Sequence, residues 1–411
     1  MPEFFEVLPP NEARAVWLAQ VSQRAPVETV AAVEALGRVT AQAIYSPEAL
    51  PAFPRSTVDG YAVRAADTFG ASDSLPAYLR VAGEVRMGQA APVAVGPGAA
   101  LLIHTGGMLP SGADAVVMVE HTQPFGLGEI EILRAVAPGE NVLQVGEDVV
   151  AGSVVLPAGH RIQPQDIGAL LALGLVDDLA VRSLPRMRIF STGDELVPPA
   201  ARDLKPGQIR DINSGTIRAL CLRAGAEARS LEIVPDDADA LYTALAGALP
   251  DADLLVITAG SSVSARDMTA EAINRLGAPG VLVHGVAARP GKPTILAVVD
   301  GKPVIGLPGN PVSAMVMFSL FGVPAIAHLL DAGMPLQVRV AARVAANVPS
   351  AAGREDYVPV RLVERDGEQW AEPVFGKSNL IFTLVGASGL LKVPLNLTGL
   401  RAGAWGEVIL F

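Results

Sequence analysis

Cysteine is almost missing from this chain: Cys221 is the one thiol among 411 residues. No intramolecular disulfide can form and no Cys-x-x-Cys pair exists, which excludes a thiol-based redox or zinc framework. Cys221 follows Ile217 at helical spacing and reads as a small buried hydrophobe, not a nucleophile. Histidine is also sparse. His104, His121, His160, His284 and His328 show no metal-ligand spacing, so no zinc site is expected. Positive charge is short too. Lys and Arg number 31 against 42 Asp and Glu, a net charge of −11, and a nucleic-acid partner is disfavoured because phosphate backbones need a basic surface. The start lacks an apolar leader: Glu3, Glu6 and Glu12 interrupt it, so no signal peptide is expected. The one membrane candidate, Pro303 to Leu330, has no Asp, Glu, Lys or Arg. Pro308, Pro311 and Pro324 are expected to break it, and the part after Pro311 fits a core helix better than a span. A soluble, cytoplasmic protein follows, with no membrane partner.

What is present is globular. Half the residues are apolar, and the length calls for two to four domains. Residues 11–45 read as helical, Asn11 capping a segment with Val16, Trp17, Leu18 and Val21 and a second segment starting near Glu28. From Pro51 to residue 142, Gly and Pro punctuate short β-rich runs such as Tyr78–Ala82 and Ala115–Val119, a separate β-rich domain. A helix opens at Gln163-Pro164 and stops at Gly174. Residues 186–330 alternate strand and helix. Leu254 to Ile257 is a continuous apolar run, as a buried parallel strand requires. Asn213 or Ser214 caps a helix ending at Gly225, Asp236 caps the next, and another follows Asp267. This is a three-layer α/β domain, and its ligands belong beyond the carboxyl ends of the strands. Residues 331–411 read as short strands with turns, a small β-barrel or sandwich.

The stretch at Lys302 to Ser313 organises the rest. Val304 and Ile305 end a strand, Gly306, Pro308 and Gly309 force a turn, Asn310 is a helix N-cap and Pro311 suits the first helical position. Free backbone N–H groups and the helix dipole make such a turn an anion site, although many α/β proteins bind nothing there. Arg289 and Lys292 flank Pro290-Gly291, with Lys302 soon after, a cluster that suits an oxyanion in an acidic chain. Glu195, Asp236 or Asp237, and Asp267 are the carboxylates at strand ends. Asp236, Asp237 and Asp267 could equally serve as helix caps; no helix is expected after Glu195 to explain it that way.

Gly306-Leu307-Pro308-Gly309-Asn310-Pro311-Val312-Ser313, with Arg289-Pro290-Gly291-Lys292-Pro293, resembles the signature of the molybdopterin molybdenumtransferases, the MoeA and gephyrin E-domain family. Val58-Asp59-Gly60-Tyr61-Ala62-Val63, Thr105-Gly106, Gly112 to Val117, Gly146-Glu147-Asp148, Ser191 to Leu196 and Gly207-Gln208-Ile209 match in order along the chain. The resemblance implies an α/β multidomain fold: a discontinuous N-terminal domain at 1–50 and 143–184, an inserted β-rich domain at 51–142, a molybdopterin-binding α/β domain at 185–330 and a C-terminal β-barrel-like domain at 331–411. It implies an enzyme of molybdenum cofactor biosynthesis that inserts molybdenum from molybdate into adenylylated molybdopterin, releasing AMP with Mg2+. Asp59, Glu195 and Asp267 are then catalytic, and Glu195 and Asp267 hold the metal. Thr105, Asp236, Asp237, Ser261, Ser262, Arg289, Lys292, Pro308, Asn310, Pro311 and Ser313 bind substrate. A homodimer is implied, the Asp59 and Thr105 segments facing a partner subunit's α/β domain. Further candidate partners are the molybdopterin adenylyltransferase and apo-molybdoenzymes.

The chain departs from the family pattern in places. Ser261 and Ala265 stand where glycines are usual, Arg289 replaces a lysine, Phe53-Pro54-Arg55-Ser56 lacks the usual acidic residue, and Lys377 to Thr383 matches a Ser-rich stretch only loosely. Two other readings compete: nucleotidyl transfer of the molybdopterin adenylyltransferase type, and a non-catalytic molybdopterin-binding scaffold.

Overall fold

The computed structural model describes residues 7–260, 263–334 and 337–411, with the backbone alone at 263–266. The chain forms two compact units, one of residues 1–41, 159–163 and 177–411, the other of residues 42–158 and 164–176.

The larger unit is built on a six-stranded sheet in the order Glu227–Val234, Arg186–Thr192, Leu254–Ala259, Lys302–Pro308, Ile295–Val299, Pro279–His284. The first four strands are mutually parallel, Ile295–Val299 runs antiparallel to Lys302–Pro308, and Pro279–His284 runs antiparallel to Ile295–Val299. All six residues of Leu254–Ala259 are buried, because successive side chains enter opposite cores. Leu254 and Val256 pack with Ile217, Phe318, Phe321 and Trp17. Leu255 and Ile257 pack with Leu241, Leu245 and Ile273. Helices Asn213–Ala224 and Pro311–Met317 cover one face, Ala238–Ala248 and Val263–Leu276 the other, the expected three layers. The carboxyl ends of the four parallel strands, at Thr192, Val234, Ala259 and Pro308, therefore share one edge.

Several local expectations are corrected. The stretch after Glu28 is not helical: Val27–Val30 is a strand paired antiparallel with Leu179–Arg182. Val27, Thr29 and Val30 are β-branched and fit a pleated surface better than a helix. Pro9, not Asn11, precedes the first helix, Pro10–Leu18. Neither Asn213 nor Ser214 is the cap of its helix; Asp211 Oδ1 accepts from Ser214 N at 3.1 Å, while Gly225 closes the far end at φ 89°. Asp237, not Asp236, caps Ala238–Ala248, accepting from Ala240 N at 2.8 Å. Asp267 does not precede its helix: that helix begins at Val263, which places Asp267 in the second turn. Pro324 does not break the apolar run either. Pro311–Met317 passes through a π-turn at Phe318–Gly322 into Val323–Leu329, and the wider turn accommodates the proline's missing N–H. This run, Pro311–Leu329, is long and apolar enough to cross a membrane, but 72% of it is buried inside the protein.

In the same unit, Arg339–Val344, Glu355–Arg365, Glu368–Pro373, Gly389–Val393 and Trp405–Leu410 form a closed barrel. Glu355–Arg365 pairs with both Glu368–Pro373 and Gly389–Val393, which removes the free edges. The short strand Ala288–Arg289 joins it, parallel to the start of Glu355–Arg365.

The smaller unit holds its own six-stranded sheet, Ala115–Met118, Gly60–Val63, Ala99–Ile103, Ala77–Val85, Glu129–Ile132, Thr122–Phe125 in that order. Gly60 is obligatory there, because a Cβ would lie 1.9 Å from the Val117 carbonyl oxygen.

Candidate active site

In the larger unit a cleft of about 990 Å3 opens between the α/β sheet and the barrel. Arg289, Lys292, Pro308, Asn310 and Ser313 line it. Five of the residues expected to bind substrate are thus brought together; Pro311 is buried as the first residue of its helix. Asn310 is the N-cap by position, yet its side chain does not cap. Its Nδ2 donates instead to Ser378 Oγ at 3.0 Å, and Val312 N donates to the Ser378 carbonyl at 3.1 Å. Gly309 approaches the neighbouring strand so closely that a Cβ would sit 2.7 Å from the Ala259 carbonyl oxygen. Asn213 Nδ2 donates to the Gly309 carbonyl at 2.8 Å, bracing the turn from the next helix. Gly291, at φ 110°, lets the Arg289–Lys292 loop lie on Met317, where a Cβ would meet Met317 Cγ at 2.3 Å. Lys302 is not part of the basic cluster: it begins its strand and its Nζ donates to the Leu249 carbonyl at 2.8 Å.

The barrel adds Arg354 and Asp356, which no sequence signal marked. Arg354, Asp356 and Lys377 line the cleft with Ser378 and Asn379. Arg354 and Asp356 reach it through the pairing of Ala288–Arg289 with Glu355–Asp356, segments more than sixty residues apart, which a local pattern cannot show.

The acidic residues lie elsewhere on the strand-end edge. Gly193 adopts φ 150° and the Glu195 carboxylate folds over it; a Cβ there would lie 2.7 Å from Glu195 Oε2. Asp236 N donates to Asp194 Oδ1 at 3.3 Å. Loss of solvent, and then the like charges of Glu195 and Asp194, push the Asp236 carboxyl above its ordinary range. Asp237 is occupied as a helix cap, so of the two neighbours Asp236 is the one with its carboxylate crowded by acids. Asp267 is exposed on its helix. None of Glu195, Asp236 and Asp267 lines the cleft that holds Arg289. Ser261 and Ser262 lie outside the described residues.

In the smaller unit, Asp59 and Thr105 meet. Asp59 Oδ1 accepts from Thr105 N at 2.8 Å and from Thr105 Oγ1 at 3.1 Å. These two bonds, with His104 nearby, hold the Asp59 carboxyl below its ordinary range. His104 Nδ1 is 3.8 Å from Asp59 Oδ1, and its Nε2 is 3.1 Å from Glu84 Oε1.

Residues 8–174 match the family model described as "MoeA N-terminal region (domain I and II)", 188–328 the "Probable molybdopterin binding domain" and 341–411 the "MoeA C-terminal region (domain IV)". A Bacillus subtilis protein named molybdopterin molybdenumtransferase is 34% identical over 387 residues, 93% of this chain and 89% of that protein. Molybdopterin molybdenumtransferase 2 of Mycobacterium tuberculosis is 34% identical over 381 residues, 91% of this chain and 93% of its own. The crystal structure of a molybdopterin biosynthesis MoeA protein from Pyrococcus horikoshii superposes with a TM-score of 0.86 at 32% identity, covering 99% of this chain and 100% of that one. Likeness of this extent, along nearly the whole length of both partners and at the level of sequence and fold alike, means that the chain belongs to the MoeA family of molybdopterin molybdenumtransferases.

Proposed function

We propose that the chain inserts molybdenum from molybdate into adenylylated molybdopterin, with release of AMP in a Mg2+-dependent step. Membership of the family makes it a molybdenumtransferase of molybdenum cofactor biosynthesis. The observation that carries the finer reading is the cleft of about 990 Å3 in which Arg289, Lys292, Arg354 and Lys377 gather while the chain as a whole carries −11. Molybdate and the phosphoanhydride are both anionic oxygen clusters, and guanidinium and ammonium donors suit them. Asn310, Ser313 and Ser378 add neutral hydrogen-bonding groups at the wall.

The carboxylates fit a magnesium ion. Glu195, Asp236 and Asp267 are hard oxygen donors, and Asp236 sits among like charges that a cation would relieve. Such an ion would take one or two carboxylates, here Glu195 and Asp267, and leave its remaining positions to substrate oxygens and water. When bound, the ion supplies charge neutralisation at the phosphoanhydride. Glu195 and Asp267 would hold it, Arg289 and Lys292 would hold the oxyanion, and water would cleave the phosphoanhydride into AMP and the molybdopterin phosphate, while the dithiolene sulfurs would replace oxygens of molybdate. Asp59, kept ionised by Thr105, is a fixed negative charge for the same chemistry, supplied across a cytoplasmic homodimer.

The test is incubation of the purified protein with adenylylated molybdopterin, molybdate and Mg2+. Release of AMP that depends on molybdate is the expected result, and its absence overturns the reading. Adenylylation of unmodified molybdopterin from ATP would instead mark a nucleotidyl transferase. Light scattering should give twice the chain mass at micromolar concentration; a fully active monomer contradicts the dimer.

A further inference from the structure

We propose that Asp356 is a positioning residue for the oxyanion-binding guanidinium of Arg289, an inference that rests on the function proposed above. The backbone sets the relationship. Ala288–Arg289 pairs in parallel with Glu355–Asp356, so Asp356 is the residue directly beside Arg289, and Glu355 N donates to the Ala287 carbonyl at 2.9 Å. The Asp356 side chain is only 3% exposed, yet it stands behind two cationic groups that reach the cleft. Its Oδ2 lies 3.5 Å from Arg289 Nη1, and its Oδ1 accepts from Arg354 Nε at 2.9 Å, with Arg354 Nη2 3.5 Å from Oδ2. The Arg289 side chain is 62% exposed and that of Arg354 36%.

The charges explain the arrangement. Two guanidiniums converging on one cleft repel each other, and long side chains carry substantial rotamer entropy. A buried carboxylate shared between them offsets the repulsion and restricts both. Each guanidinium has five N–H donors; Asp356 accepts from two on Arg354 and pairs with Arg289 by charge at 3.5 Å, which leaves donors on both for an anion. Asp356 borders the cleft but exposes only 3% of its side chain, so it acts through the arginines. The barrel thereby orients a group carried by the α/β domain.

A mutant cycle tests this. In Asp356→Asn the shape is kept and the charge removed. We expect the molybdate concentration for half-maximal AMP release to rise at least ~10-fold, with the turnover at saturating molybdate reduced less. In an Arg289→Ala/Arg354→Ala background the same change should add less than ~2-fold, because the groups it acts through are gone. Activities are referred to folded protein measured by circular dichroism. Equilibrium dialysis with molybdate alone gives a second readout, in which Asp356→Asn should weaken retention in the wild-type background only. Equal losses in both backgrounds, or no loss in the wild-type background, overturn the positioning role. Wild-type protein that retains molybdate in an Asp356-dependent way but never releases AMP would uphold Asp356 and refute the proposed reaction.

Discussion

Thr105 donates two hydrogen bonds to a single oxygen of Asp59, from its backbone N at 2.8 Å and its hydroxyl at 3.1 Å. The bonds favour the ionised carboxylate and depress its pKa, the backbone bond most strongly. For an acid with a depressed folded value, the stabilisation is present above the ordinary carboxylate range and is lost as pH falls through the folded value. Thr105→Val removes the hydroxyl and keeps the amide. The Asp59 pKa, followed by carboxyl-carbon NMR, should rise toward the ordinary range but stay below it. An unchanged titration would show that the hydroxyl bond contributes nothing in solution.

Asp236 behaves in the opposite sense. Its carboxyl is raised by loss of solvent and by Glu195 and Asp194, so its charged form costs the fold stability at pH values above the raised value, and the cost disappears as pH falls through it. Asp236→Asn should raise the thermal midpoint at pH 7 and leave it nearly unchanged at pH 4. Added MgCl2 should narrow the difference at pH 7 by supplying the missing counter-charge. A lower midpoint in the variant at pH 7 rules this account out.

Lys292 lines the cleft beside Arg289 and is exposed, so Lys292→Ala should leave the fold intact. A charge-assisted hydrogen bond to an oxyanion contributes about 1.5–3 kcal/mol, and the molybdate requirement for AMP release should increase by about 10-fold or more. An unaltered molybdate titration removes Lys292 from the site.

Asp267 is in the second turn, not at the cap, and Asn and Asp have similar helix propensities, so folding should be preserved in Asp267→Asn. The variant loses the hard anionic oxygen that Mg2+ prefers. AMP release should fall at least ~100-fold while adenylylated molybdopterin still binds. Normal turnover would assign Asp267 to the helix surface alone.

The sequence was most informative where one local rule dominated. Leu254 to Ile257 could only be a buried strand, and Gly306 to Ser313 could only turn from strand to helix. It was least informative where two rules competed. Val27–Val30 has alternating texture in an otherwise helical window, and only its pairing with Leu179–Arg182 decides the outcome. Asp236 and Asp237 are both good caps by type; geometry assigns the cap to Asp237. Arg354 and Asp356 carried no local mark, because their place at the cleft depends on a strand register set with Ala288 and Arg289.

Trp17 Nε1 donates to the Ala297 carbonyl at 2.7 Å, across 280 residues of chain, and the indole is fully buried in the core of the larger unit. A ribosome adding roughly 5–20 residues per second therefore releases Trp17 tens of seconds before its partner exists. By the end of that interval residues 42–158 have emerged with a sheet of their own, while the first helix still lacks the strand that accepts its indole N–H. Synthesis order thus differs from assembly order: the segment made first is among the last to be buried, and a chain stopped before Ala297 should show a solvent-quenched Trp17 and engage chaperones that bind exposed apolar helices.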